Sequence, residues 1–342
     1  MKFALDAAGE EPGLESIVQG VLSAQEKAAV AGMPFHGVLY GLDDDIRDAI
    51  RTYGGDFKSF DIVNAPEIIH MNDQPRDVLI NKPASSIIKA VKDLKVGFVD
   101  AFISMGNTGA IVGASRALLG KIKWINKPAL GIPIPQKNST GFLLDVGATS
   151  DPKAAHIPQF AAMGSVFAEL VHKIKDPKVG LLNMGSESNK GDAFSKEVHK
   201  LLHRTPLRFV GNIEGGDIFT DKADVIVTSG FVGNVLLKLT ESLPGILMQR
   251  IKEKDLLDRI SGFLSDFDYT RYGGAALLGV EGTVVIGHGK SNSEAVSRAI
   301  LRASEILDAN LINNMREKVY HTRRALWLSN PFSRGEGSED EI

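Results

Sequence analysis

Seven short turns rich in glycine, amide and carboxylate residues each follow a brief apolar run, and together they hold the groups that could grip an anion. They are Asp6-Ala7-Ala8-Gly9, Gly106-Asn107-Thr108-Gly109, Asp145-Val146-Gly147, Asn183-Met184-Gly185, Gly211-Asn212-Ile213-Glu214-Gly215, Ser229 to Asn234, and His288-Gly289. The second is the most telling. It lies between an apolar strand-like run, Ala101-Phe102-Ile103, and a helix-like stretch, Ile111 to Leu119. A strand that ends in glycines and opens a helix leaves backbone N–H groups aimed at one spot, which suits phosphate or another anion. Any single Gly-Asn turn is ordinary turn chemistry; the recurrence makes a site.

Side chains add to the backbone donors. Lys190 sits on the polar loop Asn183 to Gly191, where an ammonium can serve as a mobile phosphate ligand or simply be solvated. Lys238 falls four residues after Asn234 and shares its helical face. His156, near a helix start, and His288, after a strand, are candidate proton donors or acceptors, against the alternative of hydrogen-bonded structural groups. His172, His199 and His203 read as helix-surface residues. The run Asp43-Asp44-Asp45 reads as a solvated helix start, because consecutive residues cannot all face one ion. Neither G-x-x-x-x-G-K-[ST] nor a post-strand G-x-G-x-x-G is present, which gives no support to a nicotinamide cofactor, and no metal or other cofactor is expected.

The elements that position these turns are short apolar runs alternating with helical patterns. Strands are expected at Phe3–Leu5, Gly37–Tyr40, Ala101–Ile103, Ala129–Ile132, Phe142–Leu144, Val179–Leu182, Leu207–Val210, Val225–Val227 and Thr283–Ile286. That alternation predicts a three-layer α/β fold with a mostly parallel sheet, whose ligands bind beyond the strand ends. Asp151-Pro152 predicts one helix start and the capping box Ser291-x-x-Glu294 another. Residues 236–268 read as a projecting helical pair interrupted at Pro244-Gly245. Its apolar stripes (Leu243, Ile246, Leu247, Ile251, Phe263) suit core or a dimer interface, with a membrane surface as the lesser reading. With no low-complexity linker, 1–328 reads as a single domain and 329–342 as a disordered tail.

Composition narrows the function classes. The 342 residues carry 39 basic and 42 acidic side chains, a net charge of −3 that argues against a nucleic-acid partner. The absence of cysteine excludes disulfides, thiolate metal sites and a cysteine nucleophile. No signal peptide and no uninterrupted apolar span of membrane length is legible, so a cytoplasmic protein is expected.

The chain resembles the bacterial phosphate acyltransferases, which convert acyl-carrier-protein thioesters and inorganic phosphate into acyl phosphates. The matching residues are Gly106-Asn107-Thr108-Gly109-Ala110, Leu144-Asp145-Val146-Gly147-Ala148, Gly180 to Asn183, Lys190-Gly191, Gly211 to Gly215, Gly233-Asn234-Val235 with Lys238, and Tyr272 to Ala275 with His288-Gly289. The order holds from Lys2 to about Leu311. The resemblance implies a fold like phosphotransacetylases and isopropylmalate dehydrogenases. It also implies a homodimer, an acyl-carrier-protein partner, peripheral membrane contact and a downstream glycerol-3-phosphate acyltransferase in phospholipid synthesis. Phosphate would be the nucleophile, in keeping with the missing cysteine. Asp6, the N–H groups of Gly106 to Gly109, Asn183, Glu214, Lys190 and Lys238 would bind it. Asn212, Asn234 or His288 would donate to the oxyanion, Asp145 and Glu214 would orient these groups, and His156 would relay a proton.

Several residues depart from the family pattern. Ala8-Gly9-Glu10-Glu11 replaces a Met-Gly-Gly-Asp loop, Leu14 stands at a usual Pro, Gly216 at a usual Arg, and Ser229 and Val232 at a usual Asp and Thr. Two alternatives stand beside this reading: an acyl-CoA:phosphate acyltransferase for short chains, the same reaction with another donor, and an impaired copy that serves as a scaffold in lipid synthesis, which the altered loop at Ala8 to Glu11 motivates.

Overall fold

The computed structural model describes residues 1–9, 13–251 and 273–329. Glu10, Glu11, Tyr272, most of the expected second helix of the projection and nearly all of the tail lie outside them. Strands and helices alternate in the order β1 (Lys2–Asp6), α1 (Leu14–Val30), β2 (His36–Gly41), α2 (Asp43–Thr52), β3 (Phe60–Asn64), α3 (Pro75–Asn81), α4 (Ser86–Lys95), β4 (Ala101–Ser104), α5 (Thr108–Ala114), β5 (Ala129–Pro135), β6 (Thr140–Leu144), α6 (Ile157–Leu170), β7 (Val179–Leu182), α7 (Ala193–Leu202), β8 (Phe209–Ile213), β9 (Val225–Val227), α8 (Gly230–Arg250), β10 (Ala275–Leu278), β11 (Thr283–Ile286), α9 (Ser293–Asp308) and α10 (Leu311–Leu328). The mostly parallel α/β layering agrees with the sequence expectation.

Two compact units are present. One comprises Met1–Gly120 and, from residue 273, the stretch to Asp308; the other comprises Lys121 to Ile251 and Ala309 to Ser329. No low-complexity linker joins them, the feature on which the single-domain expectation rested.

In the first unit the strand order is β3-β2-β1-β4-β11-β10, parallel except for β10 against β11. Its core is built on Phe3, Phe102, Leu39 and Ile87, none more than 1% exposed. Helices α1 and α9 pack closely because Gly20 has no side chain; a Cβ there would meet Val296 Cβ at 2.5 Å. The Tyr40 hydroxyl donates to Asp93 at 2.8 Å; burial, then the carboxylate, push its pKa far above the ordinary phenol value.

In the second unit the order is β5-β6-β9-β7-β8, parallel except for β5 against β6. Helix α6 is apolar nearly all round and buried. Phe167 on it stacks on Phe142 of β6 with ring centroids 3.9 Å apart.

Local expectations shift in four places. Asp151 does not cap a helix: a single 3-10 turn, Ala154–His156, comes first, and α6 follows with Pro158 in its opening turn. Asn292, not Ser291, caps α9, accepting the Ala295 N–H at 2.9 Å. Helix α8 runs through Pro244 without a break, although an interior proline removes one i→i−4 donor. It is also long and apolar enough, by length and composition, to cross a membrane, although Lys238 and Glu241 interrupt its apolar run.

Candidate functional site

In the first unit the turn after β4 is held by its own side chains. The Ser104 hydroxyl donates to Asp6 Oδ2 at 2.6 Å and accepts the Gly106 N–H at 3.0 Å. Asp6 and Ser104 are 5% and 1% exposed, so the carboxylate at the end of β1 organises the turn rather than meeting solvent. Asn107 caps α5 by accepting the Ala110 N–H, and its Nδ2 lies 3.0–3.1 Å from the carbonyls of His70, Met71 and Asp73. Its amide is thereby committed to protein partners. The N–H groups of Thr108 and Gly109, at the start of α5, are the donors of this turn that remain for an anion. After β11, the half-buried His288 accepts the Lys290 N–H on Nδ1 at 3.0 Å. A neutral ring is therefore assigned the tautomer with its proton on Nε2, a donor.

In the second unit Asp145 follows β6 and is fully buried. Its Oδ1 accepts N–H bonds from Leu130, Gly147 and Ala148, and its Oδ2 accepts one from Thr149 at 2.7 Å. Burial pushes this carboxyl up from the ordinary range, against four donors that favour the charged form. With a donor on each oxygen, a proton on either would displace an N–H, so Asp145 shapes the loop. Helix α8 is laid against that loop through two glycines. A Cβ at Gly230 would meet the Thr149 carbonyl oxygen at 2.3 Å, and one at Gly233 the Asp145 carbonyl oxygen at 1.8 Å. Asn234 is exposed on the first turns of α8, and its Oδ1 lies 3.4 Å from the position a Cβ on Gly147 would take. Lys238, one turn on, pairs with Glu241 at 2.9 Å.

Asn183, Lys190 and Asn212 are brought together. Asn183 accepts the Met184 N–H at 2.8 Å and donates to the Lys190 carbonyl at 3.2 Å. Asn212 donates from Nδ2 to the Glu187 carbonyl at 2.8 Å and receives His199 Nδ1–H on Oδ1 at 2.9 Å. Asn212 lies inside β8, not on a loop after it: Val210 is an extra residue opposite the Val179/Gly180 step, and Gly211 takes φ 94. At 3% exposed, Asn212 acts as a bracket for the Lys190 loop rather than as an exposed oxyanion donor. His199, expected on a helix surface, is 7% exposed; its Nε2 lies 3.1 Å from Nε2 of His203, which therefore carries the shared proton. His172 packs edge-on against the rings of Phe142 and Phe167 instead of facing water. Glu214 is exposed, its backbone N–H bonded to Asp217. The Lys190 ammonium is half exposed, 3.9 Å from Glu187.

His156 is set up as a cap. Its Nδ1 accepts the Lys153 N–H at 3.1 Å. Burial, then Lys127, Lys153 and Lys121, hold its pKa below the ordinary imidazole value, so the ring is neutral near pH 7.

A cleft of about 480 Å³ opens beside Asn183 and Gly191, between the ends of β7 and β9 and the starts of α7 and α8. One wall is apolar, with Leu181, Phe194, Val232 and Leu236; Asn183, Ser195, Thr228 and Ser229 supply polar atoms. Phe194 and Ser195 went unread in the sequence because nothing in a helix's first turn marks which side faces a cavity.

A family model described as a fatty acid synthesis protein matches residues 1–314. A phosphate acyltransferase of Desulforudis audaxviator (strain MP104C) is 38% identical over 327 residues, covering 92% of this chain and 95% of the relative. A phosphate acyltransferase of Dictyoglomus thermophilum (strain ATCC 35947 / DSM 3960 / H-6-12) is 37% identical over 321 residues, covering 90% and 94%. Among solved structures, a phosphotransacetylase from Streptococcus pyogenes superposes with a TM-score of 0.59 at 16% identity, covering 92% of this chain and 94% of that one, a likeness of fold.

Proposed function

We propose, since this chain belongs to the phosphate acyltransferase family, that it moves a fatty acyl group from acyl-carrier protein to inorganic phosphate at the strand-end edge just described. The observation that carries the reading is the cleft of the second unit: an apolar wall suited to an acyl chain, a polar margin, and the loop of Lys190 beside it. A phosphate oxygen attacks the thioester carbonyl carbon. The tetrahedral oxyanion collapses, the C–S bond breaks, and the thiolate leaves to be protonated by water. In the second unit Lys190 holds phosphate charge and the Asn234 amide is the donor proposed for the oxyanion; in the first unit the N–H groups of Thr108 and Gly109 and the His288 ring are, taken by themselves, groups suited to an anion. One lost donor of that kind costs about a hundredfold in kcat. Asp6, Asp145, Asn107, Asn183 and Asn212 position backbone, Glu214 and Lys238 border the polar edge, and His156 acts by holding the start of α6.

The same reading makes the protein a cytoplasmic homodimer with peripheral membrane contact, feeding a glycerol-3-phosphate acyltransferase. The exposed apolar residues Phe231, Leu239 and Ile246 of α8 support a covered or membrane-facing surface.

The test is purified protein with phosphate and palmitoyl-acyl-carrier protein, trapping acyl phosphate as its hydroxamate. Product is expected, and Lys190→Ala should lower kcat by more than about tenfold at unchanged Tm. Product from acetyl-CoA alone would favour the short-chain acyl-CoA reaction. No product from any thioester would refute the assignment.

A further inference from the structure

The chain's net charge is −3, yet one edge of the second unit gathers unopposed cations. Lys121, Lys123, Lys127 and Lys153 have no carboxylate partner among the described residues, whereas Lys222, Lys238 and Lys318 are each paired. Asp151 is the exposed acid nearest in sequence, and no ion pair joins it to them. The four lie on two segments that are tied together. The Thr149 hydroxyl donates to the Pro128 carbonyl at 3.2 Å, and the Asn126 N–H donates to Gln159 of α6 at 2.9 Å. Lys121, Lys127 and Lys153 all act on the ring of His156. Like charges brought together without counter-charge destabilise a fold, so their clustering calls for a partner.

A second observation concerns Trp124, between Lys123 and Lys127. Its backbone has φ 78, a region that a bulky residue rarely adopts and that costs on the order of 1–3 kcal/mol. Helix α10 holds it there: Arg323 donates to the Trp124 carbonyl at 3.0 Å, and Tyr320 lies 5.6 Å from the indole. The Lys123 ammonium stands 4.4 Å over the indole ring. The segment is thus rigid, and it sets a tryptophan, a residue type enriched at protein interfaces, among cations suited to a polar rim.

Its place in the fold gives the role. Strand β5 runs antiparallel to β6 with Gly131 opposite Leu144, so the residues before β5 lie at the edge where β6, β9 and β7 end. That is the edge on which the cleft opens.

We infer that the rim formed by Lys121, Lys123, Trp124, Lys127 and Lys153 is the docking surface for an acidic protein, the carrier that presents the acyl thioester to the cleft. The inference rests on the reading above that the donor is a carrier protein. Rim cations of this kind set encounter rate and KM, and their effect fades with salt.

The test is titration of acyl-free acyl-carrier protein against the wild type and the triple variant Lys121→Glu/Lys123→Glu/Lys127→Glu, with the exposed set Lys58→Glu/Lys175→Glu/Lys200→Glu as a charge-matched control. The expected results are a Kd raised about tenfold or more in the triple variant, little change in the control, and wild-type binding that weakens as salt is added. Should charge reversal unfold the chain, the Lys→Gln set at the same positions is expected to weaken binding about threefold. No binding to the wild type, or equal binding to wild type and variants, overturns the docking surface. Failure of the wild type to consume a carrier-protein thioester while consuming acyl-CoA is a separate readout and overturns the donor assignment instead.

Discussion

Replacing Asp145 by asparagine swaps one carboxylate oxygen for an NH₂ group and tests the loop that follows β6, against which α8 is laid. Three N–H groups point at Oδ1 and one at Oδ2, so the less costly pose puts the new NH₂ at the Oδ2 position. That pose loses the 2.7 Å bond from Thr149, a hydrogen bond to a charged acceptor worth about 1.5–3 kcal/mol. It also leaves a buried N–H facing a donor, which adds about 1–3 kcal/mol. The sum, about 2.5–6 kcal/mol, is a large share of a typical folding stability of about 5–15 kcal/mol. At the usual unfolding entropy of about 2.1 cal/mol/K per residue, a chain of 342 residues would show a Tm lowered by roughly 3–8 °C. Thermal and urea melts followed by circular dichroism read the effect directly. An Asp145→Asn protein that melts with the wild type but has lost turnover would refute the positioning role and make the carboxylate a participant in the chemistry.

Three further outcomes follow from the same geometry. Because His156 is held neutral in the folded chain, the unfolded chain binds the proton more readily; stability should fall as pH drops through the ordinary imidazole value, and His156→Asn should flatten that slope in Tm measured between about pH 7.5 and about pH 5.5. His199→Leu strips Asn212 Oδ1 of its buried donor and should cost about 1–3 kcal/mol in the urea midpoint, with a raised KM for phosphate as the Lys190 loop loosens. Gly233→Ala places a methyl 1.8 Å from a backbone oxygen, so it should destabilise by more than the ~1 kcal/mol of a routine substitution, whereas Gly245→Ala, with nothing within 4 Å, should be neutral or better.

Much of the architecture was readable because fully buried parallel strands are short, apolar and punctuated by glycine. Asp145, Asn183, Ser229 and His288 do follow strands, as their positions predicted. Strand β3 escaped notice because it pairs only with β2 and carries Asp61 and Asn64, so its alternation is half polar. Strand β10, absent from the expected strands, follows Gly273-Gly274, both at positive φ, a pair that marks a turn as readily as the start of a strand. The reading of Gly211-Asn212 as a loop failed on the bulge, since glycine marks both a turn and an extra strand residue. His199 shows the same limit from the other side. Its helix periodicity gave a surface position, and only the arrival of β8 from later in the chain buried it. Which polar groups face the cleft depends on contacts between segments distant in sequence, and no local spacing encodes them.

Helix α8 is fastened at its root and bare beyond it. Its first turns are pinned where two glycines let backbone touch backbone, while Leu239, Leu243 and Ile246 farther along remain more than two-fifths exposed. Amide exchange along this one helix should therefore be graded, slow beside Gly233 and fast toward Arg250. Ordering of the outer turns by any surface that covers them would be felt first at the anchor, and through it at the loop that Asp145 holds.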